Sequence, residues 1–206
     1  MRIKLFMICV TFIFAAAVYT ANRSEGKVDV AGNGERGIVV TLSEPDRSAL
    51  LEGDTLRKAR KFNEAIAAYQ GIIKNTEVER AVRDEARYNI GLCKLENGDY
   101  ADATARFNDM FTDFAGDGNA LAHVQYCHAW IEVQEGKYDE AIARLDQSLG
   151  SEGFTDRELR ARTLFMVGRI YANFLQDYER AKPVFERVRN EYPDTKAAEH
   201  PYLKIN

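Results

Sequence analysis

Cysteine, proline and tryptophan are scarce in this 206-residue chain, which has three, four and one of them. With so few prolines, and with 46% hydrophobic and 29% charged residues, the composition is that of a folded, helix-friendly chain and excludes a disordered one. Basic residues are also in the minority: Lys and Arg number 28 against 32 Asp and Glu, for a formal net charge of −4. That balance argues against a nucleic-acid or anionic-membrane surface. Nothing in the chain pairs a nucleophile with a base, cradles a phosphate in a glycine loop or sets two carboxylates for hydrolysis, so no enzyme and no cofactor is expected. Histidines are few, and only His123 and His128 fall together, beside Cys127. His123 and Cys127 are four apart and share a helical face, but no fourth ligand follows by spacing, so no metal site is assigned.

The first residues stand apart from the rest. Arg2 and Lys4 precede Leu5–Ala21, a stretch without charge, and Ala15, Ala17, Val18 and Thr20 are small enough for cleavage after Ala17 or Thr20. Residues 1–21 therefore read as a secretory signal peptide, or, uncleaved, as an N-terminal anchor and the chain's one route to a membrane. Removing them takes away two basic residues and no acidic one, which brings the net charge to −6. Cys9 lacks the small residues that a lipoprotein signal places before its cysteine, so lipidation is not expected. Export leaves Cys93 and Cys127, read either as two small buried residues or as a disulfide between neighbouring units. Residues 22–42, with Gly26, Gly32, Gly34 and Gly37, read as a flexible leader or as a strand that packs into a groove.

The folded part, residues 43–206, is organised by repetition. Gly136-Lys137-Tyr138-Asp139-Glu140-Ala141 is echoed by Gly98-Asp99-Tyr100-Ala101-Asp102-Ala103, by Asp177-Tyr178-Glu179-Arg180-Ala181 and, more faintly, by Arg60-Lys61-Phe62-Asn63-Glu64-Ala65. The aromatics Phe62, Tyr100, Tyr138 and Tyr178 recur at 38, 38 and 40 residues, a period that points to stacked repeats. Helical periodicity fills the intervals and predicts four antiparallel hairpins: a helix running to about Arg60 with a partner striped by Ala65, Ile66, Tyr69, Ile72 and Ile73, then about 80–97 with 100–114, 119–135 with 138–149, and 155–175 with 178–191. Ser43-Glu44-Pro45-Asp46 opens the first helix, and Thr155-Asp156-Arg157-Glu158 reads as a capping box. Pro183 predicts a kink, and Asp194-Thr195 predicts the cap of a closing helix over about 195–204.

These residues resemble the tetratricopeptide repeat. Phe165, Val167-Gly168, Tyr171, Ala181, Phe185 and Pro193 fill its pattern in the fourth unit. Ile90-Gly91, Ala103 and Phe107 do so in the second; Ala129, Ala141 and Leu145 in the third; Gly53, Ala65 and Tyr69 in the first. Arg87, Lys94, Gln125 and His128 depart from it. The resemblance implies an all-α, right-handed superhelical solenoid of about four hairpins with the C-terminal capping helix. The units exceed the usual repeat length, so longer first helices or loops are expected. The ending Glu191-Tyr192-Pro193-Asp194-Thr195-Lys196-Ala197-Ala198 is similar in style to bacterial periplasmic members, such as the Tol-Pal system's periplasmic coordinator and the outer-membrane assembly lipoprotein.

What the resemblance implies for function is a non-enzymatic scaffold of the cell envelope, periplasmic or secreted. It would hold a protein or peptide in a concave groove lined by the first helix of each pair. By position the lining is Glu85, Tyr88, Leu92, Leu95 and Glu96; His123, Tyr126, Trp130, Val133 and Gln134; and Thr163, Met166, Arg169 and Asn173. Tyr126 and Trp130, four apart, share a face and with Tyr88 and Met166 form either an aromatic groove or a part of the inter-repeat core. An accessory role in a cell-wall or outer-membrane assembly complex, and ligand or metal binding in the periplasm, are the alternatives. A homo-oligomer is left open.

Overall fold

A computed structural model describes residues 28–29, 39–40, 44–200 and 203. The expected signal segment 1–21 lies outside the described residues. So does the leader, apart from β1 (Val28–Asp29) and β2 (Val39–Val40), which pair antiparallel with Val28 opposite Val40. Among the described residues eight α-helices follow: α1 Glu44–Lys58, α2 Phe62–Lys74, α3 Arg80–Glu96, α4 Tyr100–Asp113, α5 Gly118–Gln134, α6 Tyr138–Leu149, α7 Arg157–Arg169 and α8 Tyr178–Glu191. They pack as four successive hairpins, each second helix also touching the first helix of the next unit. This is an all-α helical repeat solenoid. The added length sits where it was expected: α3 and α5 have 17 residues, against 14 and 12 in their partners α4 and α6.

One contact sets every hairpin. Each second helix buries a stripe at the same spacing, Ala65-Tyr69-Ile72, Ala103-Phe107-Met110 and Ala141-Leu145-Ser148, with Ala181 and Val188 bracketing Phe185 in α8. The middle residue meets a small residue of the first helix: Tyr69 lies on Gly53, Phe107 on Gly91 and Phe185 on Gly168. A Cβ on Gly91 would come 2.7 Å from Phe107 Cε1, inside van der Waals contact, and the Gly53 and Gly168 approaches are closer still. Ala129 is the counterpart in the third unit, where the smaller Leu145 faces it. Burying each of these large side chains contributes about 1.5–3 kcal/mol.

The corners follow the same rule in each copy. The residue two before the corner aromatic takes a left-handed backbone: Arg60 (φ 59°), Gly98 (83°), Gly136 (79°) and Gln176 (55°). In the first three, the next amide reaches back to close the helix, from Lys61, Asp99 and Lys137 to the carbonyls of Leu56, Lys94 and Glu132. The fourth hairpin has one extra residue between its glycine and its corner, since Gly168 and Tyr178 are ten apart and the other pairs nine. The chain absorbs it as a π turn over Ile170–Phe174, in which Leu175 N–H donates to the Ile170 carbonyl at 3.1 Å. Periodicity gave no sign of that turn, and its wider ring is what returns Phe185 to Gly168.

Three local expectations need correction or completion. Over its described residues 194–200 the closing segment is not an α-helix. Residues 194–199 are turns, held by bonds from Ala198 N–H to the Thr195 carbonyl and from His200 N–H to the Ala197 carbonyl. Pro193 and Pro201 bracket it, and a proline disfavours helical backbone in the residue before it. The segment still covers the end of the stack, burying Ala197 and Leu203 with Ala161, Leu164, Val188 and Tyr192. At the start of α7 the cap is Asp156, whose carboxylate accepts from Leu159 N–H, and not Thr155. At Pro183, α8 runs on without interruption.

Glycine escapes the steric cost of left-handed backbone, which other residues bear at about 1–2 kcal/mol. Gln176→Gly is therefore expected to stabilise the fold by about 0.5–1 kcal/mol, net of the added freedom of the unfolded chain. Urea unfolding measures it, and a destabilised variant would contradict the corner assignment.

Candidate functional site

The first helices α5 and α7 are set against one another at their N-terminal ends. Gly118 of α5 abuts the backbone of Gly153, leaving no room for a Cβ. One residue on, the Asn119 Oδ1 accepts from Thr155 N–H at 2.8 Å and Asp156 N–H at 2.9 Å, and its Nδ2 donates to Thr155 Oγ1 at 3.2 Å. Asp117 caps α5 by accepting from Ala120 N–H. Phe154 fills the space beneath with Ala122 and Leu159, and Tyr126 packs on that cluster. The loop thereby fixes α7 alongside α5.

On these helices the aromatics predicted from the pattern come together. The Tyr88 ring meets His123 edge-on at 5.9 Å, and its hydroxyl lies 3.4 Å from Cys127 Sγ. Arg162, which the pattern did not single out, places its guanidinium 5.0 Å over the Tyr126 ring. Trp130 is half-buried and packs against the clusters of both the second and the third hairpins. Leu92 is half-buried beside Tyr88. Among the remaining predicted residues Glu85, Leu95, Val133, Thr163 and Met166 are buried, and the Thr163 hydroxyl donates to the Leu159 carbonyl. Glu96 is paired with Arg57; Gln134 and Arg169 are half-buried and Asn173 is exposed.

Of the four departures from the pattern, Arg87, Lys94 and Gln125 make polar contacts within their own hairpins, and His128 makes a ring contact with the preceding one. Arg87 pairs with Asp84 and, at 2.7 Å, with Asp113. Lys94 pairs with Asp99 and Asp102. The Gln125 side-chain oxygen accepts from Arg144, which also grips Glu132 with two nitrogens. His128 is buried edge-on to Phe107. None of these four faces an outside ligand by default.

Burial governs the ionisable groups. Cys93 and Cys127 are buried free thiols, not a disulfide, and burial pushes each up to about 12. Burial also pushes His123 down to about 4, Arg162 adding to the effect and Asp156 opposing it. Among the described residues no group of three or more His, Cys, Asp and Glu is placed to hold a metal ion. No described helix is long and apolar enough to cross a membrane.

Paired antiparallel helices stacked on a small-residue–aromatic register define a helical-hairpin repeat protein. Residues 50–112 and residues 162–195 each match a model of the tetratricopeptide repeat, a repeat that is generally a protein–protein interaction module and typically non-catalytic. Neither match extends over 113–161, the stretch holding His123, Tyr126 and Trp130. No curated protein matches the chain.

His123 is neutral in the fold down to about pH 4, whereas in the unfolded chain it takes up a proton near 6.5. Its contribution to stability is complete above 6.5 and is lost as the pH falls from there towards 4. His123→Gln is expected to flatten that loss by about 1–3 kcal/mol. Urea unfolding across the window tests it; an unchanged slope would contradict the burial of the imidazole.

Proposed function

We propose that the chain is a non-catalytic scaffold of the cell envelope that binds a peptide or protein partner on the face formed by α3, α5 and α7. The observation that carries this reading is the set of half-buried aromatics, Tyr88, Tyr126 and Trp130, on successive first helices. A side chain fixed by core contacts and still part-exposed gives a partner rigid apolar area at low entropic cost. The second helices bury the rings of their inward stripes inside the hairpins, as at Tyr69 and Phe107, while Phe111 and Tyr178 stay exposed. The third unit, which departs most from the repeat pattern, supplies the centre of the face.

The envelope assignment rests on the basic start at Arg2 and Lys4 followed by uncharged residues 5–21. Processing after Ala17 or Thr20 would release the domain into the periplasm or medium; an intact segment would tether it to the inner membrane. The Tyr192-Pro193-Asp194-Thr195 ending supports a role in the style of the periplasmic coordinator of the Tol-Pal system.

A crosslinking pull-down from native envelopes tests the assignment. Tyr126→Ala and Trp130→Ala are expected to lower capture by about tenfold or more, since central aromatic anchors contribute about 2 kcal/mol or more. Variants are first checked for folding, because Trp130 also packs against core residues. Folded variants that capture the partner as the parent does would remove the face from the account.

A further inference from the structure

The last hairpin is covered at one end and open at the other. In the first three units the corner aromatic is covered by the unit that follows. Phe62 is buried in a cluster with Val82, Ala86 and Ile90 of α3, and Tyr100 packs on the cluster that holds Val124, Cys127 and Ile131 of α5. Tyr138 packs on the cluster that holds Met166 and Val167 of α7, and its ring stacks on Phe174 with centroids 5.0 Å apart and planes at 28°. Tyr178 stands at the same position in the fourth unit and is 66% exposed. The described closing segment covers the hairpin's other end, where Ala197 and Leu203 pack with Leu164 and Val188 and where Arg189 donates to the Leu203 carbonyl. Phe174, four residues before Tyr178, stacks on Tyr138 and is still 39% exposed. Both halves of the stacking contact that joins the third unit to the fourth are therefore on offer at one corner.

Charges of both signs frame the same place. Arg180 is paired with Asp177 and Arg187 with Glu191, while Glu179 and Lys182, both exposed, are in no ion pair among the described residues. Lys182 lies one turn beyond Tyr178 on α8 and three residues from Glu179, so an aromatic, an acid and a base share the start of that helix. A partner surface of one sign would suit only one of the two charges. A second copy related by a two-fold axis suits both, because residue i then meets residue j while j meets i. We propose that the corner of the fourth unit is a self-association surface for a second copy of this chain. Tyr178 of each copy stacks on the exposed side of Phe174 of the other, and Glu179 of each pairs with Lys182 of the other. The contact repeats between copies what Tyr138 and Phe174 make within one. Its aromatic pairs and rim ion pairs are few, so the dimer is weak and forms at high concentration. The sequence hides this surface because Tyr178 fills the position of three covered aromatics.

Sedimentation equilibrium of the full chain tests it, after circular dichroism has shown that each variant keeps the parent's helix content. The parent is expected to pass from monomer to dimer with a Kd between about 1 μM and about 1 mM. Tyr178→Ser is expected to raise that Kd about tenfold or more. Glu179→Lys and Lys182→Glu each set like charges opposite one another twice and are expected to weaken the dimer by about tenfold or more. The double variant Glu179→Lys/Lys182→Glu is expected to regain the parent's Kd, since the swap restores opposite charges across the axis. An equimolar mixture of the two single variants is expected to form a dimer with one copy of each. A parent that stays monomeric up to about 1 mM overturns the proposal. So does self-association that all variants share equally, a double variant no tighter than the single ones, or a mixture that associates no better than its components.

Discussion

The structure depends on a void kept open. In three of the four hairpins a glycine of the first helix leaves room for an aromatic ring of the second, and in the remaining one alanine does the same for leucine. Ring against bare backbone brings the two helices closer than two side chains could, and it fixes their register as well as their distance. Everything else in the unit is placed by counting from that contact. The corner falls nine residues after the small one, the buried alanine three beyond the corner aromatic, and the next unit stacks on the outer faces. Where the count changes, as between Gly168 and Tyr178, the backbone takes a π turn and not a shift of the ring. The chain gives up regular helix there before it gives up the register.

The same constraint decides where a partner can be met. The rings Tyr69, Phe107 and Phe185 are consumed inside the hairpins, and the glycines of the first helices are covered by them. What is left for function is the opposite side of the first helices, whose side chains are positioned by the stack without being used up by it. Asn119 holds α5 and α7 side by side, and Tyr88 reaches across to His123 and Cys127. The polar substitutions at Arg87, Lys94, Gln125 and His128 keep the hairpins joined where the repeat's aromatics are missing. The third unit can therefore depart from the pattern without losing its place in the stack.

Much of this was legible in the sequence because the repeat is written in local terms. The corner aromatics, the glycine breaks and the amphipathic stripes gave α6 and α8 with the boundaries observed and α3, α4 and α5 to within a residue; α7, expected to run to about 175, ends at Arg169 where the π turn begins. The closing segment was misread as a helix because helical composition at Lys196-Ala197-Ala198 outweighed the two flanking prolines. The π turn was invisible, since a single inserted residue leaves no periodic signal. Of the site, Tyr88, Tyr126 and Trp130 followed from their places in the repeat the chain resembles, and spacing added only that Tyr126 and Trp130 share a face. The burial of Glu85 and Met166, the pairing of Glu96 with Arg57 and the seat of Arg162 over Tyr126 are set by neighbouring hairpins. No spacing along one helix encodes them.

A double-mutant cycle on Gly91 and Phe107 tests the governing contact most directly. In the parent, Gly91→Ala forces a methyl group into the Phe107 ring and is predicted to destabilise by about 1–3 kcal/mol. With Phe107→Ala the ring is gone, and the same substitution is predicted to stabilise by about 0.5–1 kcal/mol, as alanine does in an unhindered helix. A change of sign between the two backgrounds is the signature of the ring-on-backbone register. Equal effects of Gly91→Ala in both backgrounds would contradict it.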